Sequence, residues 1–433
     1  MKKIFNSLLN TIKKTAAFIA KVAKKYFNLF TKEAKKIGQK LYPTWLKIKK
    51  SDSTTAILGA LLAIVIGLTV GILLMIVINP SGSLIGIGRL LRGFYNEPKG
   101  ALIGFGEMLA QATPIIFTGL AIAFAFKTGL FNIGASGQFT VGLFVAALIG
   151  ILGDKLGSFQ WIVAVLGGMA GGFLWGFIPG FFKAKYNVHE VITSIMFNYI
   201  ALYVVNGLLK SPFLKTQVVN GATNRTVAVD QAARTSYGFF DTLFPNSGLD
   251  ISIFIAIGTA IILYIVLNKT VFGRELKGVG LNRHASKYAG VNENKSIMLS
   301  MGISGMIAGL GGALLILAPN VYNLGTPYSI ENTIMTQGFD GIPVALLASS
   351  NPIGVVFSTL FVSYIKSAGE AMQSAGFVLE IVEIIIAIIL YFSAFALIMT
   401  QNLGNIKKLF NRFKKKKKDS DETNNLEVKA GEN

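Results

Sequence analysis

Residues 56–78 read AILGALLAIVIGLTVGILLMIVI, a stretch with no charge and no amide. A helix rises about 1.5 Å per residue, so this stretch spans a hydrocarbon core ~30 Å thick. Backbone groups in lipid must bond within their own segment, which makes the stretch a helix. Asn79-Pro80 ends it, because the residue before a proline is pushed out of the helical region. The rest of the chain repeats the plan. Apolar stretches recur near 107–126, 136–153, 161–182, 191–209, 251–268, 296–318, 333–349, 352–371 and 378–400. The expectation is an all-α, polytopic integral membrane protein. About ten transmembrane helices fall within residues 51–404, as two pseudo-repeated halves, with the N- and C-termini cytoplasmic. The third and eighth stretches are short and open on glycine and polar residues, so they read as half-helices that begin at membrane depth.

Charge supports this layout. Only 14% of the 433 residues are charged, against about a quarter in an ordinary soluble chain. The net charge of +20 is gathered at the ends and in one loop. Residues 1–50 are Lys-rich, with Ile4, Phe5, Leu8, Leu9, Ile12, Ile19, Val22, Tyr26, Phe27 and Phe30 at helical spacing. They are expected to form a basic amphipathic helix on the membrane surface. The charged tail 405–433 is a further cytoplasmic segment. Positive charge is retained inside, which puts Lys127, the segment 183–190 and the loop 269–295 on that side. Residues 80–106, 154–160, 210–250 and 319–332 fall outside. The 210–250 segment is polar and long; it could meet an external partner, and otherwise reads as a mobile loop. The same charge distribution argues for membrane lipid, and against nucleic acid, as the partner of the basic segments.

Enzymatic motifs are missing. No GxxxxGK[ST] phosphate loop, HExxH or GxSxG string occurs, and there is no cysteine. His189 and His284 stand apart without neighbours at metal-ligand spacing. No catalytic residue, metal site or bound cofactor is expected.

Three segments carry what chemistry there is. Residues 127–138, KTGLFNIGASGQ, place glycines with Asn132, Ser136 and Gln138 at the mouth of an apolar stretch. Residues 337–347, QGFDGIPVALL, repeat that plan around Phe339 and Asp340. Irregular backbone at membrane depth survives only where it is buried or lines a cavity, and paired interruptions point to a solute path. The third segment, 269–295, is long enough for one or two short helices. It is either an ordinary basic loop or a lever worked from the cytoplasm. Glycines at 168, 172, 176 and 180, and at 305 and 309, have the spacing of close helix packing. Lys366 and Glu370 lie four apart and are expected to pair on one helix face. With Glu380 and Glu383 they would be the groups of an ion-coupled carrier, the alternative reading.

The strings GLFNIGASGQFTVG (129–142), EVITSIMFNYIALYVVNGLL (190–209), FGRELKGVGLNRHASKYAGV (272–291) and GFDGIPVALLASSNPIG (338–354) together resemble the permeases of ABC importers for branched-chain amino acids and simple sugars. Within these, the chain looks most like the nucleoside permeases that work with a BmpA-type lipoprotein. The resemblance covers about residues 56–400. It implies a multi-pass subunit in the bacterial plasma membrane, with no ATP site of its own. It implies cytoplasmic ATPase subunits, a second permease of the same or a homologous chain, and an external solute-binding lipoprotein. Gly273, Arg274, Gly278, Asn282, Ala285, Tyr288, Ala289 and Gly290 match the coupling segment that rests on the ATPase. Asn132, Ser136, Gln138, Asn198, Phe339 and Asp340 become candidate path residues, with Phe131, Phe139 and Phe339 as possible aromatic platforms. Nucleosides are the expected solute and simple sugars the next.

Overall fold

The computed structural model describes residues 52–96, 100–221, 223–319 and 326–393. The basic segment 1–50 and the tail 405–433 lie outside these. The chain divides into two compact units, 1–78 with 388–433, and 79–387. In the first, α1 (Asp52–Ile78) meets the last helical stretch so closely that a Cβ on Gly67 would lie 2.3 Å from Ile389.

The second unit begins with α2 (Ser83–Arg92), α3 (Ala101–Lys127), α4 (Ala135–Leu152), α5 (Gln160–Tyr186) and α6 (Glu190–Lys210). It continues with α7 (Pro212–Val218), the two-residue strands β1 (Val219–Asn220) and β2 (Arg225–Thr226), and α8 (Phe240–Leu243). Then come α9 (Ser252–Lys269), α10 (Val271–Leu281), α11 (Arg283–Tyr288), α12 (Glu293–Leu317), α13 (Gln337–Leu347) and α14 (Pro352–Met372). Eight helices among the described residues are long and apolar enough to cross a membrane. Of the ten expected stretches, 333–349 contains only the 11-residue α13. The last is helical over 380–393, where the described residues end.

Helices α3, α4 and α12 are buried along most of their length and form the centre. Helices α4 and α5 press close on α12 because glycine faces glycine. A Cβ on Gly172 would lie 2.3 Å from the Gly305 carbonyl oxygen, and one on Gly142 would lie 2.3 Å from Gly309 Cα. Lipid tails are as apolar as leucine, so packing at this range replaces the hydrophobic drive available in water.

The polar segment 210–250, read either as a contact for an external partner or as a mobile loop, is folded over its described residues. Leu214, Val218, Val229, Ala233, Phe240 and Leu249 are buried, and apolar anchors scattered among polar residues are why composition hid this. Strands β1 and β2 pair antiparallel. The segment also donates Asp230 N–H to the Gly150 carbonyl (2.8 Å) and Thr235 N–H to the Leu317 carbonyl (3.0 Å). It thereby satisfies carbonyls that the ends of α4 and α12 leave free. Asp250 accepts from the Thr235 and Ser252 hydroxyls. Burial raises its carboxyl above the ordinary range, against the opposing pull of those two hydroxyls.

Two expectations follow. Gly172→Ala should destabilise the protein by about 1–3 kcal/mol, as overpacking does. Gly258→Ala, where a Cβ meets open space, should be neutral or stabilising; melting of both variants in detergent checks this. The raised Asp250 carboxyl favours the protonated form in the folded state. Its contribution is therefore full below the ordinary carboxylate range and is lost as pH rises through the folded value. Wild type should lose stability relative to Asp250→Asn as pH rises from the ordinary carboxylate range through the raised folded value, read as a difference in melting temperature.

Candidate functional site: a bridged helix break and a half-helix

Helix α3 stops at Lys127 and α4 starts at Ala135. The backbone between them runs through Gly129 at φ +73°, a left-handed turn that glycine adopts without strain. A break among buried residues frees backbone groups that must find partners within the protein. Two side-chain amides take them over. Asn132 Oδ1 accepts from Gly134 N–H and from Gln138 Nε2, both at 3.1 Å. Asn132 Nδ2 donates to Gln138 Oε1 at 2.8 Å and to Ser304 Oγ at 2.7 Å. The Ser304 hydroxyl passes its own proton to the Ala121 carbonyl. Asn198, on α6, accepts from Gly137 N–H at 2.8 Å and donates to the Ile133 carbonyl at 3.1 Å. Asn132, Ser136, Gln138 and Asn198 are each at most 2% exposed. These are four of the six expected path residues, and the fold brings them into one knot. Their polar atoms are spent on the chain itself.

The half-helix α13 starts against this knot. A Cβ on Gly338 would lie 2.2 Å from Ser136 Cα. The Ser136 hydroxyl donates to the Met335 carbonyl, and the Thr118 hydroxyl to the Gln337 carbonyl at 2.8 Å. The two interrupted segments therefore meet at their starting ends. Phe339 is 37% exposed. Of the other two rings considered, Phe139 is fully buried and Phe131 stacks on Phe126. Lys366 does not pair with Glu370 along α14. Its Nζ lies 2.6 Å from Asp340 Oδ1 on α13, because packing places the partner helix nearer than the next turn of its own. Glu380 and Glu383 are exposed, with no ion pair among the described residues.

After Leu347 the chain turns through Ser349 and Ser350, both at positive φ. Lys127 Nζ donates to the Ser349 carbonyl at 3.2 Å, and Asn351 caps α14 by accepting from Ile353 and Gly354 N–H. The far end of α13 is thus tied to the lysine-bearing end of α3.

The loop 269–295 folds as two helices. Thr270 caps α10, and Asn282 caps α11 by accepting from Ala285 N–H at 3.0 Å. Arg274, Asn282, Ala285, Tyr288, Ala289 and Gly290 are exposed, Gly278 is half-buried and Gly273 is buried. Gly290 ends α11 at φ +84°. Tyr288 is 95% exposed and Leu281 88%. Sequence reasoning missed the residue that ties this ledge to the break. A Cβ on Gly280 would lie 2.6 Å from the Lys127 carbonyl and 2.8 Å from Gly129 N. Its neighbour Val279 is buried with Ala125, Leu130, Ala184, Ile297 and Met301. The signal was the doubled glycine at 278 and 280.

Two cavities lie away from the knot. One of about 780 Å³ sits between α2 and the end of α14, lined by Arg89, Arg92 and Glu370. One of about 210 Å³ lies between α3, α12 and the residues before α9, lined by Thr113, Asp250, Ser252 and Thr326. The first is the larger, yet it holds none of the knot residues.

Comparison with known proteins agrees with this architecture. Residues 104–394 match the model of the branched-chain amino acid transport system / permease component family. The guanosine ABC transporter permease protein NupP of Bacillus subtilis is 38% identical over 81% of this chain and 97% of its own length. The nucleoside ABC transporter permease protein NupB of Lactococcus lactis is 33% identical over 82% and 96%. A second Bacillus subtilis protein, the guanosine ABC transporter permease protein NupQ, is 26% identical over 60% of this chain and 79% of its own. No solved structure matches the chain. Eight long apolar helices among the described residues, with a family match across two thirds of the sequence, make this chain a multi-pass member of the branched-chain amino acid transport system permease family.

Proposed function

We propose that this chain is the permease subunit of an ABC importer that carries nucleosides across a bacterial plasma membrane. The observation that carries the reading is the contact of Gly280 with Lys127 and Gly129. An exposed two-helix ledge rests directly on the turn that opens the interrupted segment. Push the ledge and the break must move, because backbone lies against backbone with no side chain between them to absorb the displacement. The nucleoside ABC permeases named above supply the solute class and the engine.

In this reading the ledge faces the cytoplasm, and separate ATPase subunits bind it through Arg274, Asn282, Ala285, Tyr288, Ala289 and Gly290. The chain itself binds no ATP. NupP and NupQ, two similar permeases in one organism, support a second permease chain that is homologous rather than identical. An external lipoprotein delivers the solute to the folded 210–250 segment. Phe339 and Asp340 face the path, while Asn132, Ser136, Gln138 and Asn198 frame it. ATP binding closes the engine, the ledges move, and the halves rock so that the path opens to each side in turn. Solute shifts that equilibrium only by binding the two states differently. Contacts in the path are therefore few, and the lipoprotein supplies affinity.

The test is co-purification in mild detergent followed by uptake of radiolabelled guanosine into proteoliposomes holding the whole complex. ATPase subunits should co-purify and uptake should require ATP. Uptake that survives without ATP but collapses with the ion gradient would instead identify an ion-coupled carrier. Gly280→Val should leave ATPase binding intact while lowering uptake at least tenfold, since a side chain cannot enter a 2.6 Å gap without displacing backbone. Arg274→Ala should weaken ATPase binding itself.

A further inference from the structure

We propose that the carboxylate of Asp340, held by Lys366, is the mid-membrane acceptor for the vicinal hydroxyls of the transported solute. The depth follows from the fold. The C-terminal end of α13 is fixed beside Lys127, at the end of a spanning helix. Eleven helical residues cover about 16 Å, half of the ~30 Å core. Asp340 lies in the first turn of α13, so it sits near the midplane. Lys366 is in the fourth turn of α14, which starts from the same face as α13 ends, and its long side chain reaches Asp340.

Charge at that depth is expensive, and it marks function more often than stability. A packed apolar pair would hold two helices as well or better. Here the pair is also incomplete. Lys366 Nζ binds Oδ1 at 2.6 Å, and among the described residues no group donates to Oδ2. The Asp340 side chain is 22% exposed and that of Lys366 28%. A carboxylate oxygen with both lone pairs unused, accessible in the middle of a bilayer, is a ready acceptor for two adjacent hydroxyl donors. Lys366 offsets the cost of the charge and makes the pair neutral overall, so the site suits an uncharged solute. A diol acceptor of this kind suits the ribose of a ribonucleoside. The inference rests on the nucleoside reading above and names the part of the solute that the path recognises.

The experiment uses right-side-out membrane vesicles from cells expressing the whole transporter, with ATP trapped inside. Maximal uptake rates are compared for adenosine and 2′,3′-dideoxyadenosine, each at saturating concentration. Wild type should favour the ribonucleoside about tenfold, the range of one charge-assisted hydrogen-bond set. Asp340→Asn should bring the ratio toward one. Asp340→Asn with Lys366→Met, which leaves no unpaired charge, should behave in the same way. The inference is overturned if both rates fall together at an unchanged ratio, or if the double variant restores the preference, since either marks a structural pair. A wild-type ratio near one sinks it and leaves nucleoside transport standing. Wild-type vesicles that accumulate neither compound overturn both readings.

Discussion

A helix that stops inside lipid leaves peptide groups bare, and no water is there to take them. This protein meets that constraint with three side-chain amides, Asn132 and Asn198 on the backbone and Gln138 bracing Asn132. Asn132 and Gln138 exchange hydrogen bonds in both directions, and Asn198 reaches across from α6 to hold Gly137 and Ile133. Removing Asn132 or Asn198 would leave several groups unsatisfied at once, each costing about 1–3 kcal/mol. The break is therefore as firmly specified as the helices beside it. Everything that distinguishes the fold from a plain bundle is attached to it. The half-helix α13 abuts its start through Gly338, and α10 presses on its turn through Gly280.

The glycine seam among α4, α5 and α12 serves the same end. Backbones at this separation cannot slide without colliding, so the three helices behave as one block. The break is mounted on that block through Ser304 of α12, which receives a hydrogen bond from Asn132. A firm mounting lets a small displacement of α10 become a displacement at the start of α13, because packed interfaces switch between discrete arrangements and do not stretch.

Much of this was legible in the sequence. Apolar length located the eight long helices among the described residues, because lipid imposes a single rule on the backbone. The residue types of the break were legible too, since glycine beside amide in an apolar stretch has few other uses. What was not legible is whatever depends on distance across the fold. Lys366 and Glu370 are neighbours on one helix, and periodicity paired them; the nearer carboxylate belongs to another helix, 26 positions upstream of Lys366. The segment 210–250 looked mobile because its apolar anchors follow no regular period. Gly280 sat unnoticed in a loop already rich in glycine, and only the backbone it touches gives it meaning.

The knot and the ion pair divide two tasks that the sequence could not separate. Polar residues in membrane helices are read as solute contacts by default. Yet Asn132, Gln138 and Asn198 have hydrogen-bonded amides and sit at most 2% exposed, so a solute would have to break the scaffold to use them. Asp340 and Phe339 are the members of the set that retain both exposure and capacity. A path lined by framing residues would lose its shape whenever it bound its cargo. One framed from behind, with a neutralised acceptor in front, can bind weakly and release without unmaking itself.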